Sequence, residues 1–561
     1  MDVSPSSLPS ALSRREHLRL GITAVPVLVA ACSSQPSPPD GGQRAAAQPG
    51  GGGGAPAAPA KSGGAVSFAI TSDPLLNPIL TGDISGVPVN KLLYNGLTRP
   101  DPETLEPKPD LALSWEPSND GATWTFKLRS GVTWHDGAPF TADDVKFTFD
   151  LILDPTVNTV MRGNFKSLQS VEVVDPLTVR INLSQPFAAF PAFTGHMGTS
   201  CLGILPKHLL AGQDVNKAEF NKTGAVGTGA FKLKEYQSAD HVTLVANDAY
   251  HFGRPKLDSF TWKIVPDVNT QLSQVRTGEL TEALQPPAAV QPLKGNAELK
   301  VDYAPRVGVS YIGLNKSRPQ FQDPRVRKAM MYAIDRDAIV SKIFFGAYQV
   351  ATGPVPAVIA WAYEPNVTRY SFDLDKAKNL LAEAGWRPGP DGVLAKDGQR
   401  FAFKLTSSST QAGARQVTAE LQQRWKALGM ESDIELLEFG TFISQRRDNH
   451  NYDVMLHSWS LPLDPDQFNY WHSSSINGGL NAGEYRNQQV DQLLEEGRRT
   501  LDPARRKAIY SQFQQVMADD LPELWLWSNV EVRAGSLRMQ GLGKNSYYDV
   551  GLHYAADWTI G

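Results

Sequence analysis

His135-Asp136 sets an imidazole beside a carboxylate, the pairing that acid–base catalysis uses, and Gly227-Thr228-Gly229 offers a backbone that a phosphate could approach. Neither grows into a working set. His135-Asp136 lies between strand and helix patterns and reads as a tight turn, and the glycine pair lacks the third glycine of a dinucleotide fingerprint. The ten histidines include no pair at i, i+4 and no HExxH, and no Gly-x-Ser-x-Gly elbow is present. Two cysteines, Cys32 and Cys201, are too few for a thiolate metal site or a disulfide framework. No catalytic residue, metal or cofactor is therefore expected. A carboxylate pair shaped by folding for glycoside hydrolysis stays open, because no spacing marks such a pair.

Cys32 carries a different chemistry. Ser13 to Arg19 is a basic n-region, and Leu20 to Ala31 is an apolar run of twelve residues, too short to span a ~30 Å hydrocarbon core. Val29-Ala30-Ala31-Cys32 resembles a bacterial lipobox, in which the thiol is acylated and the preceding residues are removed as a signal peptide. Arg14-Arg15 also resembles a twin-arginine signal, although His17 stands where an apolar residue is usual. Ser33 to Gly64 holds nine Gly, six Pro, seven Ala and four Ser in 32 residues, which predicts a disordered tether with a span of roughly 30 Å. The expectation is a body held outside a membrane by lipid on Cys32 alone.

The elements that would position a site begin at Ala65. With 561 residues, 41% of them apolar, and a net charge of -4 without a basic run, the chain reads as a multi-core globular protein that does not bind nucleic acid. Apolar alternation predicts strands at Trp124-Phe126-Leu128, Val179-Ile181-Leu183 and Phe260-Trp262-Ile264. Thr141-Ala142-Asp143-Asp144 predicts a capping box before a helix that buries Val145, Phe149 and Ile152. Asp323-Pro324, Asp373 and Asp502-Pro503 predict further helix starts, and Gly385 and Gly429 predict helix ends. The fold class is α/β.

The runs Pro109 to Glu116, Thr123 to Arg129, Val132 to Gly137 and Phe140 to Val145 resemble the signature block of the family 5 extracellular solute-binding proteins, the peptide- and nickel-type receptors of ABC importers. The match continues through Val226 to Phe231, Asp323 to Ala329, Ala333 to Arg336 and Trp459, and reaches Trp527. The resemblance implies a two-lobed periplasmic-binding-protein-like fold with a hinge, of the large cluster C type with an extra subdomain. The implied limits are a signal peptide 1–31, the lipidated Cys32 and tether 32–64, lobe I at 65–308 plus 527–561 with the subdomain at 93–226, and lobe II at 309–526. It further implies a monomeric, non-enzymatic receptor that hands a peptide or other small solute to an ABC permease and its ATPase subunits. A receptor for an oligosaccharide or another small organic solute is the alternative, followed by a sensor or a hydrolase on the same body.

The resemblance also implies the ligand contacts. Ser85, Gly86 and Val87 match a segment whose backbone pairs with an extended peptide, and Ser458, Trp459 and Ser460 match the facing strand. Phe439 and Arg446 stand in an aromatic segment followed by a ligand-facing arginine, and Tyr311 and Trp527 lie near the two crossovers. Three residues after the pocket tryptophan, peptide receptors of this family carry an aspartate that binds the ligand's ammonium group; here that position is Pro462. A gapped alignment would bring Asp464 into that role, and otherwise free-amine recognition by this route is lost.

Overall fold

The computed structural model describes residues 63–197, 200–541 and 548–561, so the leader, Cys32 and almost all of the tether lie outside the described residues. One mixed sheet of eleven strands is the spine of the protein. At one end lie Phe231–Gln237, His241–Ala246, Ser259–Ile264, Ala65–Ile70 and Glu282–Leu284; at the other lie Val454–Ser460, Ala402–Ser408 and Glu431–Leu437. Between them run two long antiparallel strands, Leu299–Leu314 and Glu523–Ser536.

That central pair changes register in its middle. Pro305 pairs with Val530, yet the next partners are Val309 and Ser528, so Arg306 to Gly308 bulge against a single residue, Asn529. A bulge breaks ladder bonds and bends the strands, which makes this the bend between the two ends of the sheet. Gly308 fits there because a Cβ would lie 2.5 Å from the Trp459 carbonyl. The apolar cores divide accordingly. One gathers Val66 through Trp262 with Met539 and Trp558, and the other gathers Val307 through Trp527 with Leu105 and Val550. These are the two lobes.

Within the first lobe a separate antiparallel sheet, ordered Ala112–Pro117, Thr123–Leu128, Thr178–Leu183 and Leu168–Asp175, packs on the helix Ala142–Leu153. The capping box is present: the Thr141 amide donates to Asp144 Oδ2 at 3.0 Å, and the same carboxylate takes the Lys207 amide. In the second lobe Asp323, Asp373 and Asp502 cap Pro324–Tyr332, Leu374–Glu383 and Pro503–Asp520, each accepting a first-turn amide. Gly385 and Gly429 adopt φ of +90° and +87° where two helices end. His135 is a clamp within this framework: its Nδ1 accepts the Gly227 amide at 3.0 Å and its Nε2 lies 3.1 Å from the Gly229 carbonyl. Gly227 and Gly229 are packing glycines, since a Cβ on either would lie 1.8 Å or 2.3 Å from carbonyls of Leu93 and Leu92.

Candidate functional site

At the joint, a cavity of about 310 Å³ separates the lobes. Ile84, Val87 and Pro88 wall it from the first lobe, Tyr348 and Ala412 from the second, and Arg306 and Glu531 of the crossover strands close its hinge side.

The sequence reading expected Ser85, Gly86 and Val87 to offer their backbone to an extended peptide, and their amides are instead used within the chain. Ser85 precedes the helix Gly86–Leu93, and Asp83 holds the turn by accepting the amides of Ser85 and Gly86 at one carboxylate oxygen, both at 2.8 Å. The Val87 amide donates to the Asp83 carbonyl. The Ser85 hydroxyl is buried and bonds to Thr71 and Ser72. All three amides are thus used within the chain, and Ile84, 69% exposed, is the side chain offered to the cleft.

A buried polar cluster in the second lobe, none of whose residues lines that cavity, is built differently. The strand Val454–Ser460 lies against Leu299–Leu314, which puts Tyr311, His457 and Trp459 on one face of the sheet. Tyr311 and Trp459 stack with centroids 5.8 Å apart, and the Arg446 guanidinium lies 3.9 Å from the Trp459 ring centre. Here polar atoms go unanswered: the Tyr311 and Tyr452 hydroxyls, Arg446 Nε and Nη2, Trp459 Nε1 and Glu523 Oε2 are buried with no hydrogen-bond partner among the described residues. Unpaired buried donors are costly, so their concentration marks a place built around an occupant or internal water. Burial drives the Tyr311 phenol well above its usual range, raises the Glu523 carboxyl and lowers the Lys316 ammonium. Burial beside Arg446 keeps His457 neutral.

Strand alternation separates what the sequence reading grouped. Ser458 and Ser460 face away from Trp459; the Ser458 hydroxyl is 2.6 Å from that of Ser310, which donates to Asn529 beside the bulge. Trp527 is buried on that opposite face against Phe344 and Tyr348, since the second register change, at Ser310, turns it away from Tyr311. Phe439 is half exposed at a helix start, whereas Phe442 is the ring that packs on His457. Asp464 does not stand in for a ligand carboxylate. Both its oxygens are held by Arg506, at 2.6 and 2.7 Å, in a pair with both partners about 8% exposed. Sequence reasoning missed Glu523, Lys316, Tyr452 and Asn529, which no local pattern marks.

Two α/β lobes joined by two bulged strands, with a cavity at the joint, define a two-lobed binding-protein fold. Residues 106–479 match the family model "Bacterial extracellular solute-binding proteins, family 5 Middle". The chain is 32% identical over 476 residues to the oligopeptide-binding protein AppA of Bacillus subtilis, covering 84% of this chain and 87% of AppA. It is also 32% identical over 508 residues to the glutathione-binding protein GsiB of Salmonella paratyphi A, covering 86% and 93%. The solved structure of B. subtilis AppA in complex with a nonapeptide superposes with a TM-score of 0.76 at 30% identity, covering 90% of this chain and all of that one. The chain belongs to the family 5 bacterial extracellular solute-binding proteins.

Proposed function

We propose that the protein is the extracytoplasmic receptor of an ABC importer, held to the membrane by lipid on Cys32, that captures di- or oligopeptides between its lobes and delivers them to a permease driven by ATPase subunits. It acts by binding and not by catalysis. The carrying observation is the 310 Å³ cavity at the bulged joint, whose walls belong to both lobes, so that a bound solute favours closure. Lobe I is assigned to 65–308 and 527–561 with a subdomain at 93–226, and lobe II to 309–526. Val87 at the cavity, and Tyr311, Arg446 and Trp459 in the buried cluster of the second lobe, are the assigned ligand-side residues. The nonapeptide in AppA and the glutathione in the name of GsiB support a peptide ligand. The test is to purify the protein from its native host, release bound material by denaturation and identify it by mass spectrometry. Recovered peptides support the reading, and a non-peptide solute overturns it.

One observation favours a narrower class. With Pro462 in place of an acceptor and Asp464 consumed by Arg506, nothing at that corner answers a free ammonium group. Ligands with a blocked or absent amino terminus then suit the cleft. Calorimetry with one peptide, free and N-acetylated, decides this: equal affinities are expected, and a large loss on acetylation refutes it.

A further inference from the structure

The lobes also meet far from the hinge, and the contact is built around Arg498. This residue lies in the last turn of the helix Gln488–Arg499, where backbone carbonyls lack intrahelical partners. Its carbonyl accepts the amide of Ala188, which belongs to the appended layer of the first lobe, at 2.7 Å. Its side-chain Nε donates to Asp466 at 2.8 Å, a carboxylate only 1% exposed. Held there, the guanidinium carbon is 4.1 Å from the ring centre of Phe468 and 4.9 Å from that of Phe187. One cation therefore faces a ring from each lobe. Nearby, Lys166 Nζ donates to the Gly478 carbonyl at 2.7 Å, again across the lobes.

We propose that Arg498 is a closure latch, a positioning residue that holds the lobes together at the rim opposite the hinge and so raises the population of the state that retains solute. The proposal rests on the receptor reading above. Asp466 and Phe468 travel with Arg498 in the second lobe, so they aim the cation in every state without favouring closure. Phe187 and the Ala188 amide travel with the first lobe. Rotation about Arg306 to Gly308 parts them from Arg498, which removes the second cation–π contact and returns one amide and one carbonyl to water. These contacts exist only in the closed state, so they raise apparent affinity by the factor by which they raise its population.

The test compares wild type with Phe187→Leu, Arg498→Gln and the double variant. Phe187→Leu keeps apolar bulk and removes the ring face, and Arg498→Lys retains a cation as a milder substitution should Arg498→Gln fold poorly. Small-angle scattering without added solute should show a larger radius of gyration in each single variant and no further increase in the double, because both remove one contact. Arg498→Lys should fall between. Trialanine, as the probe in calorimetry, should bind the single variants roughly tenfold more weakly. Equal radii across the set, or effects that add, would overturn the latch. If trialanine binds none of the four, the peptide reading loses support while the scattering still decides the latch.

Discussion

The cavity wall of the first lobe and the buried cluster of the second treat their polar groups in opposite ways. On the first lobe, Asp83 and the Ser85 hydroxyl absorb the available donors, leaving Ile84, Val87 and Pro88 as an apolar platform. On the second, Tyr311, Tyr452, Arg446, Trp459 and Glu523 keep polar atoms buried without partners. A wall that is complete without its ligand can support many solutes, whereas one left incomplete discriminates, because the wrong solute leaves donors unanswered.

The comparison can be broken most forcefully at Asp464. If it is framework, Asp464→Ala strands the Arg506 cation in the interior and lowers unfolding stability by about 3–5 kcal/mol in denaturant titration, while Asp464→Asn leaves solute affinity nearly unchanged. Lost affinity in a stable Asp464→Asn protein would return it to the ligand. The first lobe has its own stability signature in His135, whose pKa burial lowers to about 4 from an ordinary 6.5. A depressed histidine favours the neutral form in the fold, so its contribution is complete above pH 6.5 and is lost as pH falls from 6.5 toward 4. The loss is up to about 3 kcal/mol. Thermal melts across that window should show the decline, and His135→Gln should flatten it.

Trp459→Ala should weaken peptide binding by about 2 kcal/mol in calorimetry on protein shown to be folded. A fall in melting temperature with unchanged affinity would make Trp459 core and not wall. The smallest effect is expected at Asp83→Ala, which frees the Ser85 and Gly86 amides: about 1 kcal/mol of stability by denaturant titration and little change in affinity. A large affinity loss there would show that the first wall discriminates too.

Much of the framework was legible in the sequence because its signals are local. Asp323, Asp373 and Asp502 announce helices through spacing of a few residues, and Thr141 with Asp144 does the same. The family resemblance carried the fold, and Tyr311, Arg446 and Trp459, which it named, adjoin one another in it. It failed where local geometry decides. Ser85 ahead of Val87, Val89, Leu92 and Leu93 is a helix-start pattern, and Pro88 fits a first turn, yet the segment was expected to offer its backbone to an extended peptide. Ser458-Trp459-Ser460 was taken as a block, although period-two alternation must divide it. Trp527 turned away because of one register change that no composition reveals. Glu523 and Lys316 approach the site through a strand pairing that joins distant parts of the chain.

The bulged central strands also dictate an order of assembly. Glu282 pairs with Gly535 and Leu299 with Ser536, whereas the second core is supplied almost wholly by one uninterrupted stretch. That stretch ends inside the last long strand, which supplies Leu524 to Trp527, so both lobes wait for Glu523–Ser536, and until it emerges Glu282–Leu284 is unsealed on one side. Contacts of such long sequence separation form slowly, and an unsealed strand edge invites pairing with another chain. Translation arrest or proteolysis ahead of Glu523 thus leaves a nearly full-length polypeptide in which both lobes lack a central strand, and such products should be the aggregation-prone fraction of any preparation.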